Sequence, residues 1–165
     1  MNRASKPTPR RHAAPPDPSR VGRLCFLISK DMRTALDRDL AGVDLRTQQA
    51  AVLLVCGQRH GASPSFLAQV VGTDTAGITG LLDRLESRGL VVRRPHPSDG
   101  RATVVEATRA GRALVPRLAQ TFETLETQAL KGLSREERSS LGQLLCRVHA
   151  NVEELIGAPV RGRTR

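Results

Sequence analysis

Residues 73–114 read TDTAGITGLLDRLESRGLVVRRPHPSDGRATVVEATRAGRAL, a helix, a hairpin and the start of a second helix in succession. Ile78, Leu81, Leu82 and Leu85 recur at helical spacing, and Gly89 follows them as a stop. Thr73 or Asp74 caps this helix, which reaches Arg88. Leu90 to Arg94 is β-branched and basic, Pro95 to Gly100 is turn material, and Arg101 to Ala107 returns as a strand. Thr108 can cap the helix that follows.

Upstream, Ser63-Pro64 opens a short helix that ends near Val71 and Gly72. Leu45 to Gln58 is a helix with a seam of Leu45, Gln49, Val52, Leu53 and Cys56. Val21 to Leu40 places Val21, Leu24, Cys25, Ile28, Met32, Ala35 and Leu36 on one face. Downstream, the helix from Thr108 runs to about Leu130, and Pro116 predicts a kink or break near Val115. Ser134 with Glu137 forms a capping box for a last helix. In it Leu141, Leu145, Val148, Val152 and Leu155 step by four and three, a seam suited to another helix. The fold class is mainly α with a β-hairpin wing. A winged helix-turn-helix spans 44–107, and flanking helices over 20–43 and 108–156 are candidates for a dimer interface. Leu24 and Ile28 from the first helix and the five aliphatics of the last are its candidate contacts.

The chain has 165 residues, about one domain's worth. It carries 26 Lys and Arg against 16 Asp and Glu, a net charge of +10. Residues 1–19 form a basic, Pro-rich tail expected to be disordered, and 157–165 a second basic tail; each contributes +3. Between Arg84 and Arg117 eight arginines face three acids, which favours a polyanionic partner. With three Phe and no Tyr or Trp, base-stacking platforms are excluded. No apolar run reaches the roughly 18 residues that span a membrane, and no apolar signal core stands near residue 1, so a cytoplasmic protein is expected. The three cysteines form no CxxC, and the four histidines no metal-ligand spacing. No GxSxG, Walker or GxGxxG motif is present. No cofactor and no enzymatic activity are therefore expected.

The helix at 74–88 carries small residues opposite its apolar stripe. Thr73, Ala76, Gly80, Asp83 and Ser87 lie there, flanked by Gly77, Thr79 and Arg84. Two internal glycines cost about 1 kcal/mol each relative to Ala. Either this is a second packing face, or the backbone approaches a surface such as the floor of the major groove. In the second reading Thr75 and Thr79 contact bases or phosphates, and Ala76 a thymine methyl. Backbone N–H groups at the starts of the third and fourth helices, beside Ser63 and Ser65, hold phosphates.

These residues resemble the recognition helix and wing of MarR-type bacterial transcription regulators. The resemblance rests on Leu81-Leu82-Asp83-Arg84-Leu85-Glu86, Gly89-Leu90-Val91, Arg93-Arg94, Asp99-x-Arg101, and Thr108 with Gly111. LRTQQAAVLLV and SPSFLAQVVG resemble the family's second and third helices, so the match covers about 20–156. It implies a homodimer on a pseudo-palindromic, double-stranded operator, with recognition helices in successive major grooves. It also implies Arg101 at the wing tip entering a minor groove, Arg94 beside it, and Asp99 orienting Arg101 or the turn. The family commonly has Arg after the recognition-helix Thr; here that position is Gly80, which implies a missing contact.

Leu24-Cys25-Phe26-Leu27-Ile28 resembles the first helix of the peroxide-sensing OhrR branch. That resemblance implies a thiol at Cys25 whose oxidation releases DNA. The branch supports its sulfur with tyrosine hydroxyls, which this chain lacks; Ser29 and Arg46 or Gln49 stand at the nearest matching positions. Two readings remain for Cys25, a redox sensor or a small buried hydrophobe. Cys56 lies in an apolar seam and reads as structural. Cys146 points about 140° away from Leu141 and is a candidate resolving partner for Cys25 of another subunit. The leading expectation is a homodimeric repressor relieved by a small ligand or by Cys25 oxidation. The alternative is an architectural protein that coats DNA without sequence preference.

Overall fold

A computed structural model describes residue 17 and residues 19–59, 61–96 and 99–157; the side chains of 99–101 fall outside it. The expectations for the two tails therefore lie almost wholly outside the described residues. The elements are α1 (Val21–Asp39), a 3-10 turn (Ala41–Val43), α2 (Thr47–Gln58), α3 (Pro64–Val71), α4 (Thr75–Ser87), β1 (Val91–His96), β2 (Asp99–Ala107), α5 (Arg109–Ala129) and α6 (Arg135–Leu155). The order is the one the periodicity predicts. The mainly helical class with a two-stranded antiparallel wing is what the structure has.

The chain packs as two compact units, one reaching to Thr121 and one from Phe122 onward. In the first, the α4 stripe of Ile78, Leu82 and Leu85 is fully buried, with Leu53 and Val52 of α2, Leu67 of α3, and Val91 and Val105 of the hairpin. Leu81 is only half-buried. Leu36 and Leu40 bury the end of α1. The start of its seam stays open, with Val21 at 50% and Ile28 at 55% exposure. In the second unit no residue of α6 is buried. Its seam of Leu141, Leu145, Val148, Val152 and Leu155 remains uncovered within the single chain.

Three local expectations are corrected. The turn of the wing is shorter than Pro95 to Gly100, because Pro95 and His96 extend β1 while Asp99 and Gly100 start β2. The register shifts between Pro95 and His96. A two-stranded ribbon has only edges, so Pro95, lacking an N–H, costs no ladder bond if its nitrogen faces outward. Next, α5 runs unbroken through Pro116. Arg112 and Pro116 are both exposed, so water can take the carbonyl that Pro116 leaves without a donor. Finally, α2 starts at Thr47, two residues after Leu45, because its first turn is held from outside. Asp37 of α1 accepts from the Thr47 backbone N–H at 2.7 Å and from its hydroxyl at 2.8 Å.

Helix ends follow the predicted chemistry elsewhere. Ser63 Oγ accepts from the Phe66 N–H at 3.2 Å. Asp74, rather than Thr73, is the cap of α4, accepting from the Gly77 N–H at 2.7 Å. Thr108 Oγ1 accepts from the Gly111 N–H at 3.1 Å and donates to the Gly89 carbonyl at 2.6 Å. The reciprocal box of Ser134 and Glu137 is present at 3.2 and 2.7 Å.

Candidate nucleic-acid interface

With Ile78, Leu82 and Leu85 turned inward, α4 presents Thr75, Ala76, Thr79, Asp83 and Arg84 as exposed residues. Thr79 Oγ1 donates its proton to the Thr75 carbonyl at 2.8 Å, which leaves the hydroxyl oxygen outward as an acceptor. The guanidinium of Arg84 has no ion pair or hydrogen bond among the described residues. It is therefore a free cation on a face otherwise built of small side chains.

The two glycines of this face have different causes. A Cβ on Gly77 would lie 2.1 Å from Thr73 Oγ1 and 3.1 Å from Asp74 Oδ1. The space beside Gly77 is thus filled by the half-buried Thr73 side chain and bordered by the Asp74 cap, so a methyl there would displace Thr73. A Cβ on Gly80 would meet nothing within 4 Å. Internal packing explains Gly77 and leaves Gly80 as the position where an open helical backbone has no structural cause.

The starts of α3 and α4 also differ. At the start of α4 the carboxylate of Asp74 already takes the Gly77 N–H and offsets the positive end of the helix dipole. The α3 start is capped by neutral Ser63, whose Oγ lies 3.1 Å from Ser65 Oγ, both exposed. Of the two helix starts it is the one open to an anion.

A group that spacing did not reveal ties the wing to this helix. Arg93 of β1 donates from Nη2 to Asp83 Oδ1 at 2.7 Å and from Nη1 to Glu86 Oε2 at 2.5 Å. Its backbone N–H donates to Glu86 Oε1 at 3.0 Å, and Nη2 reaches the Thr79 carbonyl at 3.3 Å. One strand residue thereby neutralises both carboxylates of α4 and fixes the root of the wing against the helix. Arg94, the next residue, is exposed and lies 3.5 Å from Glu106 on β2. Asp99 and Arg101 are in β2 by backbone, and their side chains lie outside the described residues.

These pairs set an acid dependence. The Arg93 backbone N–H, with its guanidinium, holds Glu86 below its ordinary 4.5 despite some burial. Burial raises Asp37, but the Thr47 N–H and hydroxyl and the charges of Arg46 and Arg33 outweigh it and hold it below 3.8. A carboxylate with a lowered folded pKa contributes stability above its ordinary value and loses it as pH falls through the lowered one. The melting temperature should therefore fall as pH drops below about 4.5, and Glu86→Gln should make that fall shallower. Identical acid limbs for the two proteins would refute the assignment.

The cysteines separate by burial. Burial pushes the Cys56 thiol up to about 12, which makes it inert. Cys25 is half-buried and Cys146 exposed. Neither Ser29, Arg46 nor Gln49 bonds to Cys25: Gln49 Oε1 accepts from the Arg46 N–H at 3.0 Å, and the Arg46 guanidinium lies 3.7 Å from Asp37. Arg46, Gln49, Asp37, Arg84 and Arg88 instead line a cleft of about 410 Å³. Among the described residues no cluster could hold a metal ion, and no helix is long and apolar enough to cross a membrane.

A buried stripe on α4, a wing clasped to its side and an exposed small-residue face define a winged-helix DNA-binding protein. The MarR family profile matches residues 43–102. The multiple antibiotic resistance protein MarR of Escherichia coli is 31% identical over 78% of this chain and 90% of its own length. The transcriptional repressor YetL of Bacillus subtilis is 30% identical over 73% of each. A MarR variant from E. coli complexed with operator DNA superposes with a TM-score of 0.69 at 29% identity, over 81% of this chain and 99% of that one. The transcriptional regulator SlyA shares the fold with a TM-score of 0.76 at 23% identity. The chain belongs to the MarR family. It is a sequence-specific, double-stranded-DNA-binding transcription regulator and not an enzyme.

Proposed function

We propose that the protein is a cytoplasmic homodimeric repressor whose hold on a pseudo-palindromic operator is relieved by a small ligand or by oxidation of Cys25. The observation that carries the dimer is α6, a 21-residue helix with no buried residue and Leu144, Leu145, Val148 and Val152 each more than 40% exposed. Burying such a stripe against a second copy is worth about 25 cal/mol per Å². Leu24, Ile28, Leu141, Leu145, Val148, Val152 and Leu155 are the proposed interface.

On the DNA, Thr75, Ala76, Thr79, Gly80 and Arg84 face the major groove, and Ser63 and Ser65 a phosphate. Thr73 and Gly77 shape the entry to α4, and Arg94 and Arg101 lie along the wing with Asp99 beside them. Arg101→Ala should weaken operator binding and lower the slope of log affinity against log salt by about one. An unchanged slope would remove Arg101 from the contact set.

The half-buried thiol supports the redox arm and the Arg84 cleft the ligand arm. Gel shift on a pseudo-palindrome near the protein's own promoter tests the repressor reading, and equal affinity for random duplex would replace it with the architectural one. Cumene hydroperoxide followed by reductant then separates the arms. Reversible release from the operator is expected for the native protein and not for Cys25→Ser. If Cys25→Ser is released equally, the thiol is not the switch and a non-covalent ligand remains.

A further inference from the structure

Arg88 closes α4, and its guanidinium does not face solvent freely as a phosphate-seeking arginine would. Its side chain is 34% exposed. Nη1 donates to the Asp44 carbonyl and Nη2 to the Val43 carbonyl at 3.0 Å, with the Asp44 carboxylate 3.8 Å away. Val43 and Asp44 end the 3-10 turn that joins α1 to α2. Asp44 has φ of 52°, the one non-glycine residue with positive φ among the described residues. The end of a 3-10 turn leaves carbonyls without intrahelical partners. Here Arg88, the residue that caps the C-terminus of α4, supplies their donors.

The same corner is held from its other side. Asp37 of α1 takes the Thr47 N–H and hydroxyl at the start of α2, and Leu36, Leu40 and Leu45 are buried beneath it. The corner therefore has little freedom, and Arg88 fastens α4 to it through three contacts from one planar group.

We propose that Arg88 is a positioning residue for operator recognition: it locks α4 to the α1–α2 corner and so sets how far apart two recognition helices stand. The inference rests on the dimer reading above. If α1 and α6 join two copies, then any looseness between α1 and α4 becomes looseness in the separation of the recognition helices. That separation must match half-sites about one helical turn apart. The clip thus tunes tolerance to half-site spacing and makes no phosphate contact.

The test uses duplexes selected by the full-length wild-type protein from a randomised pool, and the same duplexes with one base pair added to or removed from the centre. Fluorescence anisotropy gives affinity for each, over a series of salt concentrations. Wild type should lose about tenfold or more on each change of spacing, equivalent to about 1.4 kcal/mol. Arg88→Ala should lose less than about threefold, with an unchanged salt slope, since no phosphate contact is removed. Asp44→Gly keeps both carbonyl acceptors and should retain the wild-type spacing preference, as a folded control. The proposal is overturned if Arg88→Ala keeps the wild-type spacing ratio. It is also overturned if Arg88→Ala weakens all spacings alike with a salt slope lower by about one, the mark of a phosphate contact. Wild-type protein indifferent to spacing would instead refute the dimeric-operator reading, and the clip's role with it.

Discussion

Gly111→Ala should lower the melting temperature by about 6–12 °C, or prevent folding of the first unit. A Cβ at this position would sit 2.0 Å from the Leu90 carbonyl oxygen and 3.0 Å from Leu53 Cδ1. The obstacle is backbone, so no rotamer change relieves it. Nor can Leu90 withdraw, since its carbonyl accepts from the Thr108 N–H at 3.0 Å and its N–H donates to the Leu85 carbonyl at 2.9 Å. Relief requires the start of α5 to lift from the α4–β1 junction, which breaks the Thr108 cap and opens the core at Leu53. Overpacking costs about 1–3 kcal/mol; a clash with pinned backbone stands at the upper end, about 3 kcal/mol, and for a chain of this size each kcal/mol moves the midpoint by about 2–4 °C. Thermal unfolding followed by circular dichroism reads the shift. Gly80→Ala is the matched control: the added methyl meets nothing within 4 Å, so the helix should gain about 1 kcal/mol and the midpoint should rise. A Gly111→Ala midpoint within about 2 °C of wild type would show that α5 does not press on Leu90 as described.

That contrast marks how far the sequence could be read. Helical period, caps and glycine stops located every long helix, because each is a signal between residues a few positions apart. The α4 stripe, the Ser63 and Ser134 caps and the hairpin are all of that kind. What could not be read depends on which elements meet. Gly77 and Gly80 look alike in sequence, yet one is filled by Thr73 and the other open, a distinction made only by side-chain placement. Pro116 reads as a helix breaker, but its cost depends on whether water can reach the carbonyl it strands. Asp37 holding the start of α2 and Arg88 closing the 3-10 turn join residues 10 and 44 apart. Arg93 stood within the family motif, but its choice of Asp83 and Glu86 comes from β1 running beside α4.

Arg93→Ala should weaken operator binding by about 30-fold, out of proportion to its effect on stability. The side chain is 27% exposed and its partners Asp83 and Glu86 are 60% and 38% exposed, so solvent limits what each ion pair adds to folding. On DNA the balance changes. Asp83 lies on the exposed face of α4, and without Arg93 both carboxylates meet a polyanion uncompensated. Repulsion of about 1 kcal/mol for each near a phosphate in water sums to about 2 kcal/mol, roughly a 30-fold loss. The clasp also holds the root of β1, so its removal frees the wing to shift relative to the helix. The two causes can be told apart by neutralising the acids. If repulsion dominates, Asp83→Asn with Glu86→Gln in the Arg93→Ala background should restore most of the affinity. If wing placement dominates, that triple variant should stay weak, and the loss should be concentrated on operator over random duplex. Fluorescence anisotropy on both duplexes, beside a thermal melt of each variant, gives all the readouts. Binding by Arg93→Ala within about threefold of wild type would show that neither charge compensation nor wing anchoring passes through this residue.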